Sequence, residues 1–338
     1  MKVDTFAAID NPADAAAFAD RAKTLGFDGV FTAEANHDPF LPLAAAAASV
    51  PDLDYGTAIA VAFARSPMVT AMAAWDLSAA TNGRFILGLG TQIKAHITRR
   101  FSMEWSAPGP RLREYVEAIR AIWETWQHGT PLRFRGHFYQ HTLSAPFFEP
   151  PALPHSPPRV FIAGVGPFMA RVAGQVCDGL HVHPFHTVKY LDEVILPNVE
   201  RGAAERDRPA DTIALAAPVM VATGHSQEEI DASRRAVARQ IAFYASTPAY
   251  KRVLDLHGWD VGPELTRLSV RGEWDAMTDV VPDAMVDAIA VSGPVDSIAP
   301  QIRRRYGDRL ARVSLYALDT PLPISNGEWP AVIDGLRG

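Results

Sequence analysis

Two hydrophobic patterns alternate along most of this chain. The first is a short, nearly continuous apolar run, which is typical of a strand buried on both faces of a parallel sheet. Such runs predict strands at 3–9, 29–34, 55–64, 84–90, 160–163, 212–222 and 312–318, with one more ending at 183. The second pattern places apolar residues at helical spacing and predicts helices at 12–25, 39–49, 67–81, 110–127, 168–176, 188–206, 226–244 and 295–306. Eight strands, each but the last followed by a helix, predict a closed (β/α)8 barrel, a TIM barrel, rather than an open doubly wound sheet.

Two segments interrupt this repeat. Residues 128–158 are rich in proline and predict an irregular excursion with a hairpin around 132–138, and residues 246–290 predict turns and a helix at 274–290. Insertions after barrel strands usually form the rim of the active site, so both are expected at the carboxyl face of the barrel. No short-period repeat or low-complexity linker divides the chain, so residues 1–338 are expected to form a single domain.

Composition excludes several classes of function. The 338 residues are 48% hydrophobic and carry a net charge of −6, which predicts a sizeable core and no nucleic-acid surface. A single cysteine, Cys177, excludes an internal disulfide framework and a cysteine-based zinc site. The chain begins directly with a predicted strand, and its alanine-rich run at 41–50 is too short to span a bilayer. A cytoplasmic protein that acts on a small molecule, without a membrane partner, is the expected class.

Residues 159–184 combine a buried strand, a glycine turn, a helix and a second buried strand. Gly164 and Gly166 are expected to turn tightly because glycine tolerates positive φ, and without a Cβ they can bring backbone N–H groups close to a ligand. Pro167 suits the first turn of the following helix. Unpaired N–H groups and the helix dipole both favour an anion at such a helix N-terminus. The segment therefore predicts a phosphate site, and the alternative is an ordinary strand-to-helix turn that contains glycines.

Polar residues cluster where the predicted strands end, at the face where barrel enzymes carry out their chemistry. His37 is the candidate general acid or base, because imidazole titrates near neutral pH and this one follows a strand end. The alternative is a loop histidine that caps the next helix. Glu34 is costly to bury without a partner, so it is either catalytic or paired with Arg65 or Arg84. Asn36 is either a hydrogen-bonding partner for a heterocycle or part of a loop turn.

A histidine cluster follows the sixth predicted strand. His181 and His183 alternate along that strand and so share one face, with His186 just beyond. A metal-dependent hydrolase would need further histidines and a carboxylate on other strand ends, so no metal is expected. The three histidines are instead predicted to line a substrate pocket or to satisfy backbone groups. The chain contains neither a nucleophile elbow nor a dinucleotide-binding fingerprint.

Five segments together resemble the luciferase-like superfamily of flavin and deazaflavin enzymes, specifically its coenzyme F420-dependent oxidoreductases. They are TAEANHDPF, GTAIAVAFARSP, GRFILGLGTQ, FIAGVGPFMARVAGQVCDGL and SGPVDSIAPQIRRRY, and the resemblance runs roughly from 3 to 318. It implies an eight-stranded barrel with an insertion near the strand mouths, usually assembled as a homodimer.

Carried over by position, the resemblance assigns cofactor contacts to several residues. Asn36 and His37 match a pair beside the deazaflavin ring, and Ala58–Ile59 matches the place of a non-prolyl cis peptide behind it. The loop that holds the cofactor phosphate matches Gly164, Val165, Gly166, Pro167, Phe168 and Met169. Contacts near the cofactor are also expected from Gly90, Gln92 and His96, the last standing where other members have asparagine.

The chain departs from the sugar-phosphate dehydrogenases of that family at three positions. Their proton-donating glutamate is replaced by Ile93, the lysine that grips the sugar phosphate falls at His186, and a nearby threonine falls at His183. Oxidation of glucose 6-phosphate is therefore not expected. The pocket is expected to be less cationic and to admit a more apolar substrate.

The resemblance and these residues predict an oxidoreductase that transfers a hydride between F420 and a small organic substrate, with His37 moving the coupled proton. Two alternatives stay open. An FMN-dependent luciferase-like monooxygenase would present a phosphate to the same loop. A non-catalytic barrel would hold F420 or another ligand without turnover.

Overall fold

A closed barrel of parallel strands forms the centre of the protein. The computed structural model describes residues 1–7, 9–317 and 322–338. Its eight barrel strands, numbered β1 to β8, are Lys2–Phe6, Gly29–Thr32, Asp54–Thr57, Phe85–Gly90, Arg159–Gly164, Gly179–Val182, Ala214–Gly224 and Arg312–Tyr316. Each strand pairs in parallel with the next, and β8 pairs with β1 in the register Lys2↔Arg312. The predicted (β/α)8 barrel is confirmed, although the predicted end of the last strand at Leu318 lies outside the described residues.

Thirteen helices accompany these strands. Twelve of them, α1–α5 and α7–α13, are Ala15–Leu25, Phe40–Ser49, Pro67–Ala80, Pro108–His128, Pro167–Val176, Gln227–Ala245, Lys251–His257, Gly262–Arg271, Trp274–Val280, Asp283–Ile289, Val295–Tyr306 and Trp329–Arg337. Helix α6, residues 188–204, is α-helical at Val188–Tyr190 and Leu196–Ala204 and π-helical at Leu191–Ile195 between them. Helix α3 begins after an N-cap, Ser66, whose side chain accepts a hydrogen bond from the backbone N–H of Val69. None of the helices in the described ranges has enough apolar length to cross a lipid bilayer.

The predicted strand at 55–64 is interrupted where it approaches β4. Strand β3 ends at Thr57, a cis peptide joins Ala58 to Ile59, and a two-residue strand, Ala60–Val61, resumes the pairing with β4. The Thr57 hydroxyl bonds both the carbonyl and the N–H of Gly88 at 2.7 and 3.0 Å. A Cβ at Gly88 would lie 1.8 Å from the Thr57 carbonyl oxygen, so this close approach requires glycine there.

The first insertion does not lie where the sequence analysis expected it. Residues 129–158 connect the end of α4 to the start of β5, so they leave from the amino end of the barrel, and the expected position after a strand is wrong. The predicted hairpin forms between Phe134–Arg135 and Gln140–His141 and packs back along α4. There the Glu114 carboxylate accepts hydrogen bonds from the backbone N–H groups of 137, 138 and 139, at 2.6–2.9 Å. These three bonds place the hairpin on the outside of the helical ring.

The second insertion covers the carboxyl face as expected, but it starts earlier than predicted. It runs from the end of β7 to α12 and includes α7–α11 and a strand, Val291–Pro294, that pairs with the last residues of β7. The single helix predicted at 274–290 is two helices, α10 and α11, because Pro282 removes a backbone donor and ends the first of them. Tyr244 on α7 packs its ring edge-on against His183, with centroids 4.6 Å apart, at the end of β6.

The core has two parts. Most buried apolar residues lie between the barrel and its helices, and a smaller cluster inside the barrel consists of Phe31, Ile86, Phe161 and Ala216. At its amino end the barrel holds a buried ion cluster, in which Arg312 donates to Asp4 and Asp54. A cavity opens beside the carboxyl end of the barrel.

Candidate active site

A cavity of about 800 Å³ opens along one side of the barrel mouth. Its lining comes from strands β1, β2, β7 and β8 and from the loops after β1, β2, β3, β6 and β8. Phe27 just before β2, helices α2 and α7 and the start of α13 complete it. This volume is in the range of pockets that bind drug-sized ligands. Four of the residues singled out in the sequence line it: Asn36, His37, Ala58 and His183.

His37 lies in the loop after β2 with about half of its side chain exposed. Its Nε2 atom lies 3.5 Å from a carboxylate oxygen of Asp10, which is itself 92% exposed. The alternative role as a helix cap is wrong, because Asp38 takes it: its Oδ1 accepts from the N–H groups of Phe40 and Leu41 at 2.8 and 3.2 Å. His37 is therefore left available at the cavity wall, and its role as acid or base stays a prediction.

Glu34 has a structural role. Its Oε2 atom accepts hydrogen bonds from Arg65 at 2.6 Å and from the N–H of Val61 at 2.7 Å. The other arm of the Arg65 guanidinium donates to Asp38 at 2.7 Å. The ion pair with Arg65, one of the two predicted, is thus formed. The Glu34–Arg65–Asp38 triad fixes the 34–38 loop, and with it His37, against the segment that follows the cis peptide.

The cis peptide Ala58–Ile59 is present where the resemblance implied it. Backbone hydrogen bonds hold both residues: the N–H of Ala58 donates to Thr32 at 2.7 Å, and the carbonyl of Ile59 accepts from Glu34 at 3.0 Å. A Cβ at Gly90 would lie 2.7 Å from the Ile59 side chain, so Gly90 makes room for this bulge rather than lining the cavity. Ala58 presents the bulge to the cavity.

The glycine loop after β5 has the geometry of an anion site, for a different reason from the one expected. Gly166 is the N-cap of α5 with φ −101°, and neither it nor Gly164 has positive φ, so that expectation is wrong. A Cβ at Gly164 would lie 2.4 Å from that of Met169, whereas a Cβ at Gly166 would meet no atom within 4 Å. No side chain caps the helix, and the Tyr190 hydroxyl donates to the Val165 carbonyl at 2.9 Å. Within the described residues, the first N–H groups of α5, which include those of Phe168 and Met169 after Pro167, therefore have no side-chain cap.

The residues after β4 form a separate group. Gln92 has a left-handed backbone, φ 58°, and its side chain accepts from the N–H of Ile93 at 3.0 Å. His96 begins a π-helical turn, and its Nδ1 atom is buried with no hydrogen-bond partner. Arg100 of the same turn donates to the carbonyl of Ala35, which links this group to the Asn36 loop. Neither Gln92 nor His96 lines the cavity, and the glycine loop also lies outside its lining.

The three histidines do not line one pocket. His183 lines the cavity, and its Nδ1 accepts from the N–H of Phe185 at 3.1 Å, so its Nε2 carries the proton toward Tyr250 oxygen at 3.0 Å. His181 lies deeper, between the rings of Phe31 and Phe161. His186 is only 1% exposed and lies outside the cavity lining. The pocket expectation is wrong for His181, which aromatic rings cover, and for His186, which the loop turns into the core. The alternative, that these histidines satisfy backbone groups, holds for His186, whose Nδ1 atom bonds the carbonyl of His183 at 2.8 Å.

Burial keeps all three rings neutral. It lowers the pKa of His181 and His183 to about 3 and that of His186 to about 4. Within the described residues, no three His, Cys, Asp or Glu side chains lie close enough together to hold a metal ion. These imidazoles can therefore donate or accept single hydrogen bonds near neutral pH but supply no positive charge.

Two tyrosines that the sequence analysis did not single out complete the cavity. The hydroxyls of Tyr244 on α7 and Tyr316 at the end of β8 lie 2.7 Å apart, and both residues line the wall. Tyr316 could have been found from its place at a strand end on the carboxyl face. Tyr244 gave no signal, because only the fold of the second insertion brings α7 over the barrel.

Comparisons with known proteins agree with the barrel fold. The family model of luciferase-like monooxygenases matches residues 1–312. An uncharacterized protein of Mycobacterium tuberculosis (strain ATCC 25618 / H37Rv) is 52% identical over 289 residues, 85% of each chain. The 5,10-methylenetetrahydromethanopterin reductase of Archaeoglobus fulgidus is 27% identical over 244 residues, 70% of this chain and 68% of that protein. The solved coenzyme F420-dependent tetrahydromethanopterin reductase from Methanopyrus kandleri superposes with a TM-score of 0.79 at 20% identity, covering 99% of this chain and 96% of that one.

Proposed function

Because the chain belongs to the luciferase-like monooxygenase family, we propose that it is an oxidoreductase that transfers a hydride between coenzyme F420 and a small organic substrate. The observation that carries this proposal is the uncapped N-terminus of α5, where a Cβ at Gly166 would meet nothing within 4 Å. The relationship to F420-dependent reductases supports the choice of cofactor.

The residues present fit a phosphate-bearing planar cofactor. The N–H groups at the start of α5 would hold its phosphate, since they combine free donors with the positive end of the helix dipole. Ala58 at the bulge and Asn36 in the neighbouring loop would contact its ring. Bound F420 supplies a ring carbon that accepts or donates a hydride. The open space beside Gly166 and the bulge at Ala58 are both observed in this chain and support the fit.

The protein's own part in the reaction is positioning and proton transfer. The Glu34–Arg65–Asp38 triad orients the loop that carries His37, so that its imidazole faces the cavity beside the substrate. His37 takes the proton released when an alcohol is oxidised, or returns it when a carbonyl is reduced. The cavity walls hold the reactants in contact and exclude water, which is the main protein contribution in cofactor chemistry.

Titration of the purified protein with oxidised F420 and, separately, with FMN tests this proposal. We expect quenching of F420 fluorescence with saturation in the micromolar range or below, and no comparable FMN binding. Tight FMN binding without F420 binding would support the monooxygenase alternative instead. F420 binding without turnover of any alcohol or ketone would support the non-catalytic barrel.

Assembly and location follow from the same proposal. We infer a cytoplasmic homodimer that acts on a small molecule, without nucleic-acid or membrane partners, because the resemblance implies a dimer and the net charge is −6. Light scattering after size exclusion, with an expected mass of twice 36.8 kDa, checks the assembly.

A further inference from the structure

Carboxylates outnumber cations at the cavity wall. Asp4, Asp10 and Asp38 line the cavity, and none of its lining residues in the described part of the chain is lysine or arginine. The nearest guanidinium at the mouth, Arg65, is already bonded to both Glu34 and Asp38. Two carboxylates thus share one positive charge, which leaves the 34–38 loop negative. Asp10 adds a further exposed negative charge at the rim.

The guanidinium next to Asp4, that of Arg312, is also fully paired with carboxylates. Arg312 is buried and donates to Asp4 and Asp54, and Lys2 donates to Asp54 at 2.6 Å. These two cations balance two carboxylates, so neither presents charge to a ligand. An anion that entered the cavity would therefore find repulsion from Asp10 and the triad, with no counter-charge.

Much of the remaining lining is apolar or neutral. It consists of Leu315, Leu322 and Trp329, the ring of Tyr244, and His183, whose imidazole is uncharged and bonded to Tyr250. His186, at the position that the resemblance assigns to a phosphate-gripping lysine, is buried outside the cavity. The side of the cavity that could contact a substrate thus offers apolar surface and no site for a phosphate.

We propose that this cavity admits an uncharged alcohol or ketone with an apolar body and rejects compounds that carry a carboxylate or phosphate, with Asp10 as a determinant of that selection. The inference rests on the proposed function for its redox step. On oxidation, the carbinol C–H bond breaks and its hydrogen leaves with the electron pair, as a hydride, to F420. The hydroxyl proton passes to the imidazole of His37, and a C=O bond forms; reduction reverses each change.

Two isosteric probes test the selection by charge alone. Cyclohexyl methyl ketone and cyclohexanecarboxylate share an apolar ring and differ in a methyl group against an anionic oxygen. Calorimetric titration of the F420-loaded protein and of the protein alone is expected to show the ketone binding at least about tenfold more tightly. Because salt screens the repulsion between solvent-accessible charges, 0.5 M NaCl should reduce the ratio of ketone affinity to carboxylate affinity.

The variant Asp10→Asn isolates the charge at the rim. Carboxylate affinity should rise about three- to fivefold, as expected for removing one repulsive charge at a partly hydrated site, while ketone affinity changes less than twofold. Asp14→Asn is the matched control, since Asp14 is an exposed aspartate on the same segment outside the cavity lining, and it should leave the ratio unchanged.

Three results would overturn the inference: carboxylate binding as tight as ketone binding, no binding of either probe, or equal effects of the two asparagine variants. The proposed function has a separate test: it is wrong if the protein does not bind F420. In that case, the affinities of the ketone and the carboxylate for the protein without cofactor still show whether the cavity selects by charge.

Discussion

Replacing Gly166 by alanine should weaken cofactor binding without destabilising the fold. The added Cβ meets no protein atom within 4 Å, and φ −101° is ordinary for alanine. Alanine is a poorer N-cap than glycine by about 1 kcal/mol, but it also lowers the entropy of the unfolded chain, which offsets about 0.4–1 kcal/mol of that cost. We therefore expect the free energy of unfolding to change by less than about 1 kcal/mol.

The effect on binding should be larger, because the methyl group would occupy the space in front of the first N–H groups of α5. A hydrogen bond to a charged group contributes about 1.5–3 kcal/mol. Loss of one such bond to a phosphate predicts an affinity for F420 that is about ten- to a hundredfold lower.

Quenching of F420 fluorescence measures the affinity, and urea unfolding measures the stability. Gly164→Ala should lower the stability instead, since its Cβ would lie 2.4 Å from that of Met169 and overpacking costs about 1–3 kcal/mol. Gly327→Ala is the control for both, because its added Cβ would meet only the Ser325 hydroxyl, at 3.9 Å. Wild-type F420 affinity in Gly166→Ala would refute the assignment of the phosphate to this helix N-terminus.

Three further predictions concern other parts of the molecule. His37→Gln should bind F420 within about threefold of the wild type but slow ketone reduction by reduced F420 about 10²–10⁴-fold in stopped-flow measurements; an unchanged rate would exclude His37 as the proton donor. Gly88→Ala should destabilise the protein by about 3 kcal/mol or more in urea unfolding, because its Cβ would lie 1.8 Å from the Thr57 carbonyl oxygen. A urea midpoint equal to that of the wild type would contradict this close approach of Gly88 to Thr57. Burial lowers the pKa of His186 to about 4, below its ordinary value near 6.5, so the unfolded chain takes up a proton first and stability is lost as pH falls from about 6.5 to 4. In His186→Gln, the free energy of unfolding measured in urea should therefore fall by about 2–3 kcal/mol less over this pH range than in the wild type. The same pH dependence in both proteins would contradict this prediction.

The sequence by itself determined the barrel and the glycine turn between its fifth strand and the following helix. Both rest on local signals: most strands are nearly continuous apolar runs, the helices repeat their apolar positions, and Gly164–Pro167 specify a strand end and helix start within four residues. The closed topology then follows from the count of strand–helix units, since parallel strands need helices on their outer face.

Only the tertiary structure decided the composition of the cavity. The hydroxyls of Tyr244 and Tyr316 meet across 72 residues of chain, and Arg65 reaches Glu34 across 31. The first insertion lies on the outside because the Glu114 carboxylate captures three N–H groups of its hairpin. His186 is buried because its ring packs against Tyr306, 120 residues away in the chain, with centroids 5.6 Å apart. Such contacts join distant segments, and no local pattern encodes which of them will meet.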